Sequence, residues 1–412
     1  MKKTLLSSWT LFLGISFIML GHGLQSTLLG VRAVEEDFAT IAAGIVMSGY
    51  YIGMLVGSIT APRMIKNVGH VRVFGAAAST ASIAILLHPL VINPIIWLFL
   101  RIITGICFAT IYVTAESWLN DKATNQNRGK LFSIYMVVLF GGGSLGAFLL
   151  NVWPVTTIQP FLLVSILLSL SMVPILITIG SAPDFSIPKK VGLKRIYKNS
   201  PLAVISSIGV GCVHGAIFMT GAIYTKTIGL STLEITVFVF IIYFAGSAAQ
   251  WPMGWISDRM DRRKLIIIST FVAGLIATTI PMAYEVSLLL FFFTVALFSI
   301  SCLPLYSVTV AHANDFLKKD EMVAASGTLV LLNGAGCMMG PILVSVMMWF
   351  FGSHSYFYTI AVLHVSVGFF ALYRATVRSS PDPSKTKSHV VIPRRPIGTE
   401  LVTEAIAKAG KK

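Results

Sequence analysis

An arginine embedded in a long apolar run is the residue of this sequence best suited to chemistry. Arg101 lies in the run 94–120, about a third of the way in from one end. Placing an ionisable side chain at the centre of a membrane helix costs ~2.5–3.5 kcal/mol on insertion scales, so such residues are functional candidates by default. Its guanidinium is permanently charged and offers a planar fork of donors, which suits an anionic substrate group or a carboxylate that carries a proton. Pairing inside its own half of the chain is the structural alternative. On a 3.6-residue helix, Tyr112 stands ~20° from Arg101 in azimuth and Glu116 ~60°, so the three share one face. Arg101 and Glu116 are ~22 Å apart along that helix and cannot pair with each other. Two imidazoles add to the set: His22 and His214 each lie 13 residues into their apolar runs. They could bind solute or titrate near neutral pH, and packing by independent hydrogen bonds is the alternative. Gln25 shares the face of His22, while Gln250 and Asn333 are further polar groups inside apolar runs.

The elements that must carry these residues follow from composition. Of 412 residues, 55% are apolar and 11% are Asp, Glu, Lys or Arg, against roughly 25% charged in soluble domains. With a mean hydropathy of +0.82, a soluble enzyme is excluded. A helix needs ~20 mostly apolar residues to cross the hydrocarbon core. That window predicts twelve spans, near 9–31, 39–62, 70–92, 94–120, 129–152 and 159–181, then 201–226, 232–257, 263–284, 286–314, 322–350 and 355–375. A barrel would show ~10-residue alternating segments instead. The apolar run after Lys2 and Lys3 is too long for a cleaved signal and reads as an uncleaved first span.

The net charge of +15 alone suggests nucleic acid, but its placement does not. With the N-terminus in the cytoplasm, 28 of the 31 basic residues fall on that side, and only Arg32 and Lys226 on the other. Basic residues concentrate on the cytoplasmic face of membrane proteins, so both termini are expected inside and no nucleic-acid partner is expected. The four cysteines sit singly in apolar runs and read as small buried hydrophobes. The connector 182–200, with Leu193, Ile196 and Tyr197 among five basic residues, suits a short amphipathic helix on the anionic leaflet, a solvated linker being the alternative. The tail 376–412 is Pro- and Lys-rich and is expected to be disordered.

The connector divides the spans six plus six, and the halves repeat. Tyr112, Asn120 and Asp121 recur as Tyr306, Asn314 and Asp315 at an offset of 194, as do Gly142 and Gly146 as Gly336 and Gly340. His22-Gly23 recurs as His214-Gly215 and Gly57 as Gly254. The expected organisation is a bundle over 1–181, a connector, a bundle over 201–375 and a tail, the bundles related by a pseudo-twofold axis along the membrane normal. The glycine pairs, four residues apart, should let helix backbones approach closely.

These residues resemble the major facilitator superfamily of secondary transporters over nearly the whole chain. The most specific element runs from Gly254 through Asp258, Arg259, Arg262 and Arg263. It is similar to the superfamily's cytoplasmic loop motif Gly-x-x-x-Asp-Arg-x-x-Arg-Arg. Arg101-xxx-Gly105 is similar to its intramembrane Arg motif, and Glu116 followed by Arg128-Gly129 to a feature of sugar-porter-like members. The runs Glu116-Ser-Trp-Leu-Asn-Asp and Ala311-His312-Ala-Asn314-Asp315 look most like the bacterial YcaD-like branch. Two departures stand out. The loop after Gly57 has no acid where the motif has Asp, and the antiporter signature Gly-x-x-x-Gly-Pro is absent at Gly142 but present from Gly336 to Pro341. The direction of transport therefore stays open.

The expectation is an all-α protein of twelve transmembrane helices in the bacterial inner membrane, monomeric and embedded in lipid. It moves a small solute by alternating access, driven by a proton or solute gradient, and uses no cofactor or metal. His22, Gln25, Arg101, Tyr112, His214, Gln250 and Asn333 are expected along the solute or proton pathway. Glu116, Arg128, Gly254, Asp258, Arg259, Arg262 and Arg263 are expected at a cytoplasmic gate. No Gly-x-x-x-x-Gly-Lys-Ser/Thr run for ATP and no enzyme constellation is visible. The competing reading is a membrane sensor with a transporter body and no flux.

Overall fold

The computed structural model describes residues 2–123, 128–177, 193–317 and 319–377. Every regular element among them is helical, and twelve helices are long and apolar enough to cross a membrane. Spans 1–6 are Trp9–Glu35, Thr40–Val68, His70–Leu87, Pro94–Lys122, Ser133–Asn151 and Gln159–Leu176. Spans 7–12 are Pro201–Thr227, Thr232–Arg259, Arg262–Val286, Leu288–Asn314, Ala325–Phe351 and Ser355–Val377. The chain is thus an integral membrane protein of the expected class. Large apolar side chains such as Trp251, Leu289 and Phe351 are exposed on the helices. In water such a surface would aggregate; in lipid it is the surface required.

Local chemistry sets several helix ends. Asn93 precedes span 4, accepts from the amides of Ile95 and Ile96 at 2.9 and 3.3 Å, and is followed by Pro94. This satisfies orphan donors of the first turn while Pro fills a position that needs no N–H. Asp261 and Ser287 cap spans 9 and 10 in the same way. Span 7 contains a π-helical turn at Ala216–Thr220, and the Tyr356 hydroxyl donates to the Ala216 carbonyl at 3.0 Å. Span 10 is interrupted at Leu303-Pro304, because Pro304 lacks the N–H its predecessors would bond. Span 11 continues as α-helix through Pro341.

The chain forms two compact units. One holds Met1–Ile187 with Phe218–Phe240, the other Pro188–Ile217 with Ile241–Arg395. The boundary therefore falls inside the π turn of span 7. In the first unit, Gly142 and Gly146 of span 5 lie against Met19 and Leu20 of span 1. In the second, Gly336 and Gly340 of span 11 lie against Ile208 and Cys212 of span 7. The repeated glycines thus do the same packing work in both halves. A Cβ at Gly340 would sit 1.8 Å from the Cys212 carbonyl oxygen, so a backbone must move. Gly340→Ala should cost about 3 kcal/mol, the upper end of the overpacking range, read as a lowered Tm in detergent.

The connector forms a helix at Leu193–Asn199, with Ile196 buried and Leu193 and Tyr197 exposed. Its remainder and the tail beyond 377 lie outside the described residues. The four cysteines are buried thiols outside any disulfide. Arg32 and Lys226, the two basic residues expected on the face opposite the other loops, each hold a carboxylate: Arg32 pairs with Glu36 and Lys226 with Glu35.

In the loop between spans 3 and 4, the His88 ring Nδ1 lies 2.8 Å from the Ala84 carbonyl, and Trp97 Nε1 donates to the His88 carbonyl at 3.0 Å. Burial pushes this imidazole down to about 3 from its usual 6.5. The unfolded chain then binds the proton first, so the contribution is present above pH 6.5 and is lost as pH falls towards 3. Thermal melts between pH 7 and 4 should show this decline, and His88→Gln should flatten it.

Candidate functional site

Close packing of spans 2 and 4 builds the first site. A Cβ on Gly53 would lie 2.0 Å from the Ile102 carbonyl oxygen, and one on Gly105 would lie 2.1 Å from the Tyr50 carbonyl oxygen. With no side chains between them, the two backbones touch. This brings the Tyr50 ring over the guanidinium of Arg101, 4.8 Å from its Cζ. Tyr50 in turn meets His22 at 5.3 Å between ring centroids. Phe108 lies 4.9 Å from His22 and 6.0 Å from Tyr112. Arg101, His22 and Tyr112, placed together on sequence grounds, thus line one aromatic cluster in the first unit. Tyr112 donates to Met19 Sδ at 3.3 Å, and Ser26 Oγ lies 3.4 Å from His22 Nε2.

The electrostatics of this cluster are one-sided. Arg101 is 0% exposed. Its one hydrogen-bond acceptor is a thioether, Met219 Sδ, at 3.2 Å from Nη2. Nε and Nη1 have no partner, and no carboxylate among the described residues lies in ion-pair reach. On span 1, three residues beyond His22, Gln25 is fully buried with both amide atoms unpartnered. A cation over an aromatic face is worth ~2 kcal/mol when desolvated, whereas an unpaired buried charge costs several kcal/mol. The cluster is therefore a cationic, aromatic-walled place with donors to spare, able to hold an anionic group.

Met219 reaches Arg101 from the π turn of span 7. Such turns redirect side chains and recur at functional sites. Neither Tyr50, Phe108 nor Met219 was evident from sequence, because an aromatic or Met on an apolar helix is usually core. One signal was available: Gly49, Gly53 and Gly57 at four-residue spacing marks the close face of span 2.

The second unit holds His214, Gln250 and Asn333. His214 is fully buried on span 7, in the stretch where Gly211 and Gly215 lie against Asn333 and Cys337 of span 11. Asn333 Nδ2 donates to the Ser207 carbonyl at 3.1 Å, and Ser307 donates to Gln250 Oε1 at 3.3 Å. Tyr306, the repeat counterpart of Tyr112, is buried with its hydroxyl unpartnered.

At the loop between spans 8 and 9, Arg262 organises a network. It pairs with Asp315 at the end of span 10 through Nη1, and with Asp258 through Nη2 at 3.1 Å. Nε donates to Ser257 Oγ at 3.2 Å and Nη1 to the Ala311 carbonyl at 3.3 Å. Asp258 is therefore held within its own unit by the arginine four residues on. Asp315, a stronger partner, was visible in sequence only as the repeat of Asp121. Gly254 is buried in the same helical segment. Arg259 stacks on Trp255 at 4.1 Å, and Arg263 Nη1 donates to the Arg374 carbonyl at 3.5 Å.

The first unit differs at this level. His70 heads span 3 as Arg262 heads span 9, and its Nε2 lies 2.9 Å from Ser117 Oγ. Ser117 is the repeat counterpart of Ala311. An imidazole thus occupies the place of the guanidinium, and Asp121 is exposed. Glu116 is buried and accepts from the Tyr135 hydroxyl at 3.3 Å. The side chain of Arg128 lies outside the described residues.

The Major Facilitator Superfamily sequence profile matches residues 11–259 and 238–408. The chain is 26% identical over 379 residues to an uncharacterised MFS-type transporter, YcaD, of Escherichia fergusonii, covering 92% of this chain and 97% of that protein. An MFS-type transporter of Yersinia enterocolitica is also 26% identical, covering 91% and 96%. Among solved structures, the nucleoside transporter NupG aligns with a TM-score of 0.75 at 14% identity, over 89% of this chain and 98% of that one. A bacterial homologue of the human lysosomal transporter Spinster, inward-facing and occupied, gives 0.75 at 13%, over 94% and 99%. The D-xylose–proton symporter gives 0.66 at 16%, over 92% and 98%. Twelve apolar helices, the loop network on Arg262 and this match along the chain have one meaning: the protein is a membrane transporter and belongs to the Major Facilitator Superfamily.

Proposed function

We propose that the protein is a secondary transporter that carries a small solute with an anionic group across the bacterial inner membrane by alternating access. The observation that carries this reading is Arg101, fully buried with two guanidinium nitrogens unpartnered. A carboxylate or similar group would form charge-assisted hydrogen bonds with those donors, and Tyr50 and Phe108 would pack on an apolar body attached to it. Gln25, one turn from His22 on span 1, adds buried amide donor and acceptor atoms without partners. His22, Tyr112, His214, Gln250 and Asn333 are proposed along the same pathway, with a proton or solute gradient as the driving force. The organisation is a bundle over 1–181 and another over 201–375, both termini cytoplasmic. Glu116, Arg128, Gly254, Asp258, Arg259, Arg262 and Arg263 are assigned to the cytoplasmic gate. The structural neighbours, a nucleoside transporter and a D-xylose–proton symporter, support small-solute flux, but at 14% and 16% identity they pass on no substrate.

The test is a ligand screen on the purified protein by thermal shift, followed by flux in proteoliposomes. Carboxylates should raise Tm where their amides and esters do not, since a ligand that binds only the folded state stabilises it by mass action. Equal shifts from an acid and its neutral ester would defeat the anion assignment. Binding without flux under any imposed gradient would favour a sensor.

A further inference from the structure

A cavity in the second unit has the composition of an anion site. Its lining includes Ser200, Arg263, His312 and Arg374, with Asn199 and Phe316 at its sides, and it opens to the surface. Two guanidinium-bearing residues and an imidazole-bearing one meet there, and no described lining residue is acidic. The carboxylates of the neighbouring loop are committed elsewhere: Asp258 and Asp315 hold Arg262, and Asp261 caps span 9.

The N-terminus of span 7 also opens onto the cavity through Ser200, Pro201 and Leu202. Ser200 occupies the cap position of the helix Pro201–Gly215 but makes no side-chain cap bond. It is 3% exposed, and its hydroxyl has no partner. First-turn amides carry unsatisfied donors and the positive end of the helix dipole, a combination that binds phosphate in many proteins. A buried hydroxyl without a partner, lining a basic cavity at a helix N-terminus, lacks an acceptor.

We propose that this cavity binds a phosphate group, held by Arg263, Arg374 and the Ser200 hydroxyl at the start of span 7. The phosphate could come from an anionic phospholipid headgroup or from solution. The lipid source rests on the cytoplasmic placement of these loops, where anionic headgroups and basic pockets between helices meet; phosphate binding itself does not.

The experiment uses the full-length protein in non-ionic detergent at fixed ionic strength. Inorganic phosphate is titrated calorimetrically, and native mass spectrometry compares retention of phosphatidylglycerol with phosphatidylcholine. Loss of one charge-assisted contact should weaken binding about tenfold for Arg374→Gln and less for Ser200→Ala. Saturable phosphate binding without lipid preference identifies a soluble source. Preferential retention of phosphatidylglycerol identifies the headgroup. Either must weaken in both variants. Absence of both signals, or binding that Arg374→Gln and Ser200→Ala leave unchanged, overturns the proposal. If Arg374→Gln does not fold, Ser200→Ala decides, since it removes a single oxygen. No arm requires flux or Arg101, so failure of the transport reading would leave this result standing, and the converse holds.

Discussion

Arg101→Met should lower flux at least about 30-fold while leaving Tm equal to or above that of the parent protein. The two halves of this expectation come from one fact, the uncompensated burial of the guanidinium. Removing one partner of a buried charged pair typically costs 2–5 kcal/mol of binding, and each 1.4 kcal/mol is a factor of ten. If the anionic group of the solute supplies the missing partner, its affinity should collapse in the variant. The resting protein gains, because an apolar side chain of similar length removes an unpaired charge from a low-dielectric place and retains contact with Tyr50 and Met219. Replacing buried charges by packed apolar groups is often neutral or stabilising. Arg101→Lys should retain part of the flux, since it preserves the charge and loses the planar fork. Proteoliposome flux and thermal melts measure both sides. A variant with normal flux, or one whose Tm falls sharply, would show that Arg101 serves packing rather than transport.

Much of the architecture was legible because lipid imposes strict rules on sequence. Twelve helices follow from apolar length alone, since unsatisfied backbone groups cannot be tolerated in hydrocarbon. The glycine repeats announced close backbone approach at spans 5 and 11, while their partners, spans 1 and 7, came from the structure. Arg101 and Tyr112 were singled out by type and helical azimuth and His22 by type and its repeat, and the structure links the three through rings. The links themselves, Tyr50 and Phe108, were not legible. Nothing in an aromatic side chain's identity separates a site wall from a core residue; only the glycine-lined approach of spans 2 and 4 does so. Met219 was hidden for another reason, because its position depends on the π turn at Ala216–Thr220, which shifts the azimuth of every residue after it. Gln25 was singled out only for sharing a face with His22, and its burial without partners is a property of tertiary packing.

The halves also diverge where a repeat would copy them. The loop between spans 2 and 3 lacks the acid of the family motif, and the structure gives the local consequence. His70 stands against Ser117 where Arg262 stands against Ala311 and Asp315. An imidazole–hydroxyl contact needs no carboxylate, so the missing acid does not strand His70. Among the described residues, the buried guanidinium–carboxylate latch at this level lies in the second unit.

Within that latch, Asp315→Asn should destabilise the protein by about 3–5 kcal/mol and Asp258→Asn by about 1 kcal/mol or less. Both carboxylates bond Arg262, so the difference rests on solvent. Asp315 and Arg262 are 3% and 2% exposed in their side chains, and Asp258 is 37% exposed. Breaking a buried pair strands the remaining charge and carries the larger cost, while an exposed pair in high dielectric contributes ~0–1 kcal/mol. Ser257 and the Ala311 carbonyl also hold Arg262, so the guanidinium cannot swing out to water in the Asp315 variant without breaking further bonds. Pairing Asp315→Leu with Arg262→Met should recover most of the loss, because the pair then leaves no charge behind. Thermal or denaturant melts in detergent of the parent, the Asp315→Leu and Arg262→Met single variants and their pair form a double-mutant cycle whose coupling term isolates the pair. Equal losses for Asp258→Asn and Asp315→Asn would place the latch in the loop rather than at the end of span 10. Cysteine accessibility at this end of the second unit should follow the same order, rising strongly with Asp315→Asn and little with Asp258→Asn, because the bond that ties the loop to the membrane helices is the buried one.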